Sequence, residues 1–130
     1  MKRIAIFMVA GVLAPVIAAA QPKADRYYSA TYKTCLSGAM STLQMKGCIA
    51  GAYDSWDKQL NQTYQALMAR RAAADQTQLR DDERAWLKRT KHKCDHAGDD
   101  EAGGTLQGVE IDQCNLDETI LRTVYLRGLR

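Results

Sequence analysis

Residues 41–71, Ser41 to Arg71, read STLQMKGCIAGAYDSWDKQLNQTYQALMARR, and this stretch decides the fold. Its larger apolar residues are Met45, Ile49, Tyr53, Trp56, Leu60, Tyr64 and Leu67, in steps of three or four throughout. That spacing places one apolar stripe along an α-helix. Ser41 or Thr42 can cap its start, because a hydroxyl there accepts from an otherwise unpaired backbone N–H. No proline interrupts the run, and its later part is rich in Leu, Gln, Ala, Met and Arg, all good helix formers. Gly47 and Gly51 are the weak point, each costing about 1 kcal/mol against alanine. They allow either a break, with the strong helix starting near Asp54, or a flat patch beside Cys48 that another backbone approaches. A single helix cannot hide so long a stripe, so the rest of the chain must pack against it.

The segments on either side supply those partners. Residues 22–34 are expected to form a short helix or ordered arm, with Tyr28 and Tyr32 on one face, and Cys35 to Met40 a turn broken at Gly38. Ala72 to Gln78 reads as a hairpin turn, with Asp75 or Thr77 capping a second helix from Leu79 to about Lys93. That helix buries Leu79, the stem of Glu83, Trp86 and Thr90. Its basic end, Lys88, Arg89, Lys91 and Lys93, lies where a helix dipole favours cations. From Asp95 to Gln113 four glycines and no helical period predict a loop. A last helix is expected over Leu116–Leu126, with Leu116, Ile120 and Val124 on one face. The fold class is therefore all-α, a small helical domain built on a long helix and helical hairpin with two disulfides.

The first twenty residues, MKRIAIFMVAGVLAPVIAAA, have a charged start at Lys2 and Arg3, an apolar segment from Ile4 to Leu13, and Ala18-Ala19-Ala20 as a cleavage site. This is the pattern of a secretory signal peptide. The apolar run falls short of the roughly 20 residues of a span, and Pro15 breaks it. Residues 1–20 are thus expected to be removed and 21–130 to form one helical domain, periplasmic or secreted, with no membrane anchor. The formal charge falls from +3 to +1 once Lys2 and Arg3 are gone, which leaves no argument for nucleic acid.

All four cysteines, Cys35, Cys48, Cys94 and Cys114, lie in the exported part, and an even count there reads as two disulfides. Four cysteines allow three pairings. A hairpin turning near Asp75 brings Cys94 level with Trp56 and leaves Cys48 roughly 12 Å further along. That distance disfavours a bridge between them and favours Cys35–Cys48 with Cys94–Cys114, although a shifted turn would close the gap. Zinc thiolate chemistry lacks a Cys-x-x-Cys pair.

Little in the sequence points to catalysis. There is no nucleophile elbow and no phosphate-cradling glycine loop. Asp99 and Asp100 lie on a loop with nothing to hold them at catalytic separation. His92 and His96 stand four apart but where a helix is ending, so two solvated histidines fit better than a metal site. The acidic loop lacks the spacing of a calcium-binding hand. No cofactor or metal is expected.

Several motifs run in an order that resembles the LprI-type lysozyme inhibitor domain. They are Trp56-Asp57-x-x-Leu60-Asn61-x-x-Tyr64-x-x-Leu67, then Leu79, Trp86 and Cys94, then Gly103-Gly104-Thr105, Cys114 and Thr119-x-x-Arg122. The earlier Cys35, Ser41-Thr42 and Met45-x-x-Cys48 are similar as well. The chain departs from the pattern at Glu83, where the family often has glutamine, and at Thr90-Lys91, where it often has Arg-Asp.

The resemblance implies an exported protein-binding module that blocks a lysozyme and is not an enzyme. Lysozymes are commonly cationic, so Asp99, Asp100 and Glu101 would steer the encounter. Lys91 or His92 would then meet the carboxylates of the cleft. The alternative is a periplasmic immunity or envelope interaction protein with another partner.

Overall fold

The structure, a computed structural model, describes residues 22–129. The expected signal peptide lies outside the described residues. A 3-10 turn, Ala24–Tyr27, leads into α1 (Ala30–Ser37), α2 (Thr42–Ala69), α3 (Ala73–Asp95) and α4 (Gln107–Gly128), with a second 3-10 turn at Asp99–Glu101. Among the described residues there is no strand, and no helix is long and apolar enough to cross a membrane.

The long helix forms as its periodicity demands. The Ser41 side chain caps it, accepting from the Gln44 backbone N–H. It runs unbroken through Gly47 and Gly51. A Cβ at either glycine would meet nothing within 4 Å, so among the described residues no backbone makes the close approach expected there. Ile49, Leu60 and Leu67 of the stripe are buried, while Met45, Trp56 and Tyr64 are half-buried and Tyr53 is exposed.

The hairpin turn comes earlier than its composition indicated. It occupies Arg70–Ala72, so Asp75 and Thr77 sit inside the first turns of α3 and do not cap it. The Gln76 side-chain amide donates to the Met68 and Arg71 carbonyls, 3.0 Å each, satisfying carbonyls that the end of α2 leaves open. With that contact in place, the good helix former Ala73 extends α3 backwards.

The last helix begins at Gln107 and not near Leu116, so the expected loop shrinks to residues 96–106. Val109 is the reason. It is buried in the same cluster as Tyr32, Cys48, Ile49, Leu116 and Ile120, which rewards helix in a segment whose local pattern is weak. Burying such a side chain fully contributes about 1.5–3 kcal/mol.

Polar pairs give the helix directions. Lys46 pairs with Asp112 and Arg127 with Gln59, so α2 and α4 run the same way. Arg122 reaches Asp82 and Glu83, and Lys93 reaches Glu118, so α3 runs against them. Helix α4 packs on both arms of the hairpin, and α1 packs on α2. A second core cluster, Leu60, Leu67, Leu79 and Leu126, joins the arms and α4 towards the turn.

Both expected disulfides are present, Cys35–Cys48 and Cys94–Cys114, with Cα separations of 5.7 and 5.4 Å. The register of the hairpin differs from that of a turn near Asp75. Counted from a turn centred on Arg71, Cys94 stands level with Cys48. The interposed α4, which brings Cys114 to Cys94, is what dictates the pairing.

Candidate functional site

Helix directions place three features at one end of the molecule: the start of α2, the end of α3 and the start of α4. Each of the two disulfides closes a connection there, Cys35–Cys48 between α1 and α2 and Cys94–Cys114 between α3 and α4.

The second connection is built tightly. Gly98 is buried, and a Cβ there would lie 2.6 Å from the Gln107 carbonyl oxygen, so the loop sits directly on the first turn of α4. Gly103 has φ +78°, a left-handed value that glycine adopts without strain, and its N–H donates to Gln107 Oε1 at 3.2 Å. The Gly104 N–H donates to the Glu101 carbonyl at 2.8 Å. These contacts turn a glycine-rich segment into a defined shape.

All five residues expected to meet a partner lie here. His92 is in the last turn of α3 with Lys91 just before it, and Asp99, Asp100 and Glu101 form the 3-10 turn that follows; all are exposed. Their links are local. Lys91 Nζ is 2.6 Å from Asp95 Oδ2, an exposed pair spaced four residues apart. Such a pair contributes about 0.3–0.5 kcal/mol and exchanges readily for another partner. The His92 and His96 rings are 5.1 Å apart, and His96 Nδ1 is 2.9 Å from Asp99 Oδ2. His96 thus joins the helix end to the acidic turn. Asp100 and Glu101 have no ion-pair partner among the described residues. No group of three or more His, Cys, Asp or Glu side chains among the described residues is arranged to hold a metal ion.

Among the clefts along the helices, two border Tyr53 of α2. One, of about 430 Å³, lies between α2 and α4 beside Ile49, Tyr53, Asp112 and Asn115. The other, of about 330 Å³, lies between the hairpin arms, with Tyr53, Tyr64 and Trp86 on its walls and Thr119 from α4 among its lining residues. Asp57 on its rim accepts from Asn61 at 3.0 Å, so it does not stand as a lone catalytic carboxylate.

Sequence reasoning missed the charged centre between α3 and α4. The Arg122 side chain is only 6% exposed and is held by Asp82 at 2.7 Å and Glu83 at 2.7 Å. It lies over Trp86 and Tyr125, its guanidinium carbon 5.5 and 5.0 Å from their ring centres. Burial works against its charge, but the hydrogen bonds and charges of Asp82 and Glu83 outweigh that, so its pKa ends above the ordinary value. Also missed were Met40 and Leu43, which flank the cap of α2 and are 89% and 80% exposed. The available signal was that neither belongs to the stripe beginning at Met45.

Comparison with protein-family models matches residues 33–126 to the family described as lysozyme inhibitor LprI. Neither the curated proteins nor the solved structures contain a match.

Proposed function

The chain belongs to the LprI lysozyme inhibitor family, and from that premise we propose that it is an exported inhibitor that binds a lysozyme through its disulfide-braced end. The observation that supports this reading best is the extent of the match, which takes in all four cysteines and the acidic turn between Cys94 and Cys114. An inhibitor of this kind needs no catalytic group and no cofactor. It needs a surface whose shape is fixed before binding, because ordering a loop at the interface costs affinity. The bridge, the packed Gly98 and the Gln107 contact meet that need.

Asp99, Asp100 and Glu101 attract a cationic enzyme and orient the encounter. Lys91 exchanges Asp95 for a carboxylate of the enzyme's cleft, with His92 beside it. The two disulfides fit an oxidising, extracytoplasmic compartment.

The test is a titration of a cationic lysozyme, assayed on cell-wall substrate, with the purified protein. Inhibition that saturates at a fixed stoichiometry supports the reading. Full lysozyme activity at a large molar excess removes it for the enzyme used, and binding to another envelope protein would then favour an immunity or assembly role.

A further inference from the structure

The connection closed by Cys35–Cys48 has a chemistry that the acidic turn lacks. Met40 and Leu43, at 89% and 80% exposure, are the most exposed large apolar residues described, and they stand three apart at its tip. Single exposed apolar residues need no explanation. These two are held in a fixed frame. Ser41 caps α2 by accepting from the Gln44 N–H at 3.2 Å, and Gln44 Oε1 in turn accepts from the Met40 N–H at 2.6 Å. The disulfide then ties α1 to the second turn of α2. The backbone that presents both side chains is therefore ordered before any partner arrives.

This tip belongs to the same end as the acidic turn. Lys46, one helical turn beyond Leu43, pairs with Asp112 at 3.1 Å, and its Nζ lies 2.9 Å from where a Cβ on Gly108 would be. The start of α2 is thus in contact with the start of α4. Immediately before α4 come Leu106, 39% exposed, and the Asp99–Glu101 turn, which packs on α4.

The charges name the partner's chemistry. Lys46, Lys91 and Lys93 are each neutralised by their own carboxylate, Asp112, Asp95 and Glu118. Asp100, Glu101 and Glu110 have no ion pair among the described residues, against Lys33 on α1. Lys88 and Arg89 stand about 9 Å or more back along α3. An apolar tip bordered by excess negative charge suits a basic protein surface with an apolar recess. It is opposed to an anionic lipid surface, and to a second copy docked tip to tip.

We propose that Met40 and Leu43 are the apolar anchor of the inhibitory surface, inserting into an apolar recess of a basic partner while the neighbouring acidic turn steers it into place. This rests on the inhibitor reading above and adds to it the residues that hold the complex together. Central apolar side chains govern dissociation, and peripheral charges govern association. Methionine also suits a recess of irregular shape.

Association and dissociation rates with a cationic lysozyme, at low and high salt, separate the two roles. The proteins compared are wild type, Met40→Ser/Leu43→Ser and Asp99→Ser/Asp100→Ser/Glu101→Ser. Both side chains project into solvent, so the apolar variant should melt as wild type does. It is expected to dissociate roughly tenfold faster, with association and its salt dependence changed less than about twofold. Met40→Leu should retain slow dissociation. An apolar double variant that binds with wild-type kinetics overturns the anchor and leaves the inhibitor reading standing. A wild type that binds no lysozyme removes that reading, and the anchor with it. Binding of wild type to anionic phospholipid vesicles, lost in the double variant, would assign the tip to a membrane and also overturn the proposal.

Discussion

Arg122 on α4 donates through Nε to Glu83 Oε2 on α3 at 2.9 Å, from a side chain almost wholly removed from solvent. Asp82 Oδ2 accepts from Arg122 Nη2 at 2.7 Å, and the rings of Trp86 and Tyr125 lie alongside. Truncating one partner of a buried ion pair strands the other, at a cost of about 3–5 kcal/mol. Arg122→Ala should therefore destabilise by about 3 kcal/mol, at the low end because Asp82 is partly solvated. Glu83→Gln keeps an acceptor for Nε and should cost only about 1 kcal/mol. Urea unfolding of both variants measures the contrast. Equal losses would mean that the charge on Glu83, and not its hydrogen bond, holds Arg122.

The glycines give two opposite expectations. Gly47→Ala adds a Cβ into open space in mid-helix and should stabilise by about 0.5–1 kcal/mol. Gly98→Ala drives a Cβ to 2.6 Å from a backbone oxygen and should cost about 1–3 kcal/mol. Thermal melts that move both variants in the same direction would contradict the packing of the loop on α4.

The N-terminal arm should make the fold sensitive to alkali. The Tyr28 hydroxyl donates to Asp117 Oδ1 at 2.6 Å and accepts from Gln113, whose Oε1 accepts from Tyr32. Burial raises the pKa of both phenols above the ordinary value of 10, and the Asp117 contact raises Tyr28 further. A group with a raised folded pKa contributes its full stability below the unfolded pKa and loses it as pH rises. Stability should hold up to about pH 10 and then fall. Tyr28→Phe/Tyr32→Phe should be less stable than wild type at pH 8 and lose less between pH 10 and 11. Parallel stability curves would refute the assignment.

Removing Cys94–Cys114 by a double serine substitution should cost about 3 kcal/mol, by freeing the unfolded chain. Its effect on lysozyme binding should exceed its effect on folding, because the acidic turn then has to be ordered on contact. Comparing inhibition at a temperature where the variant remains folded separates the two. Unimpaired inhibition there would place the contact away from this turn.

Trp56 and Trp86 are half-buried, so each alanine substitution should cost about 2 kcal/mol and not the roughly 3–5 of a fully buried ring. Trp86→Ala should be the worse of the two, because its ring covers the buried Arg122, whereas Trp56 lies near Arg127, which is exposed. Matched melting temperatures would show that the Arg122 contact adds nothing beyond packing.

By itself the sequence determined the all-α class, the start and apolar stripe of the long helix, the apolar face of α3, and the family. These follow from residue spacing and from side chains acting within a turn or two of their own backbone, which a single segment expresses alone. Only the tertiary structure decided the rest. Residues 107–115 are helical because Val109 finds a core made by α1 and α2, and no local pattern announces that burial. Arg122 looks like a solvated cation until α3 supplies Asp82 and Glu83. Met40 and Leu43 lie off the stripe of α2, but only the packing shows that no other element covers them, at 89% and 80% exposure. The disulfides show the division most plainly. An even cysteine count points to two bridges, but Cys94 reaches Cys114 because α4 packs against both arms of the hairpin, a position set by long-range packing that no register count along α2 and α3 contains.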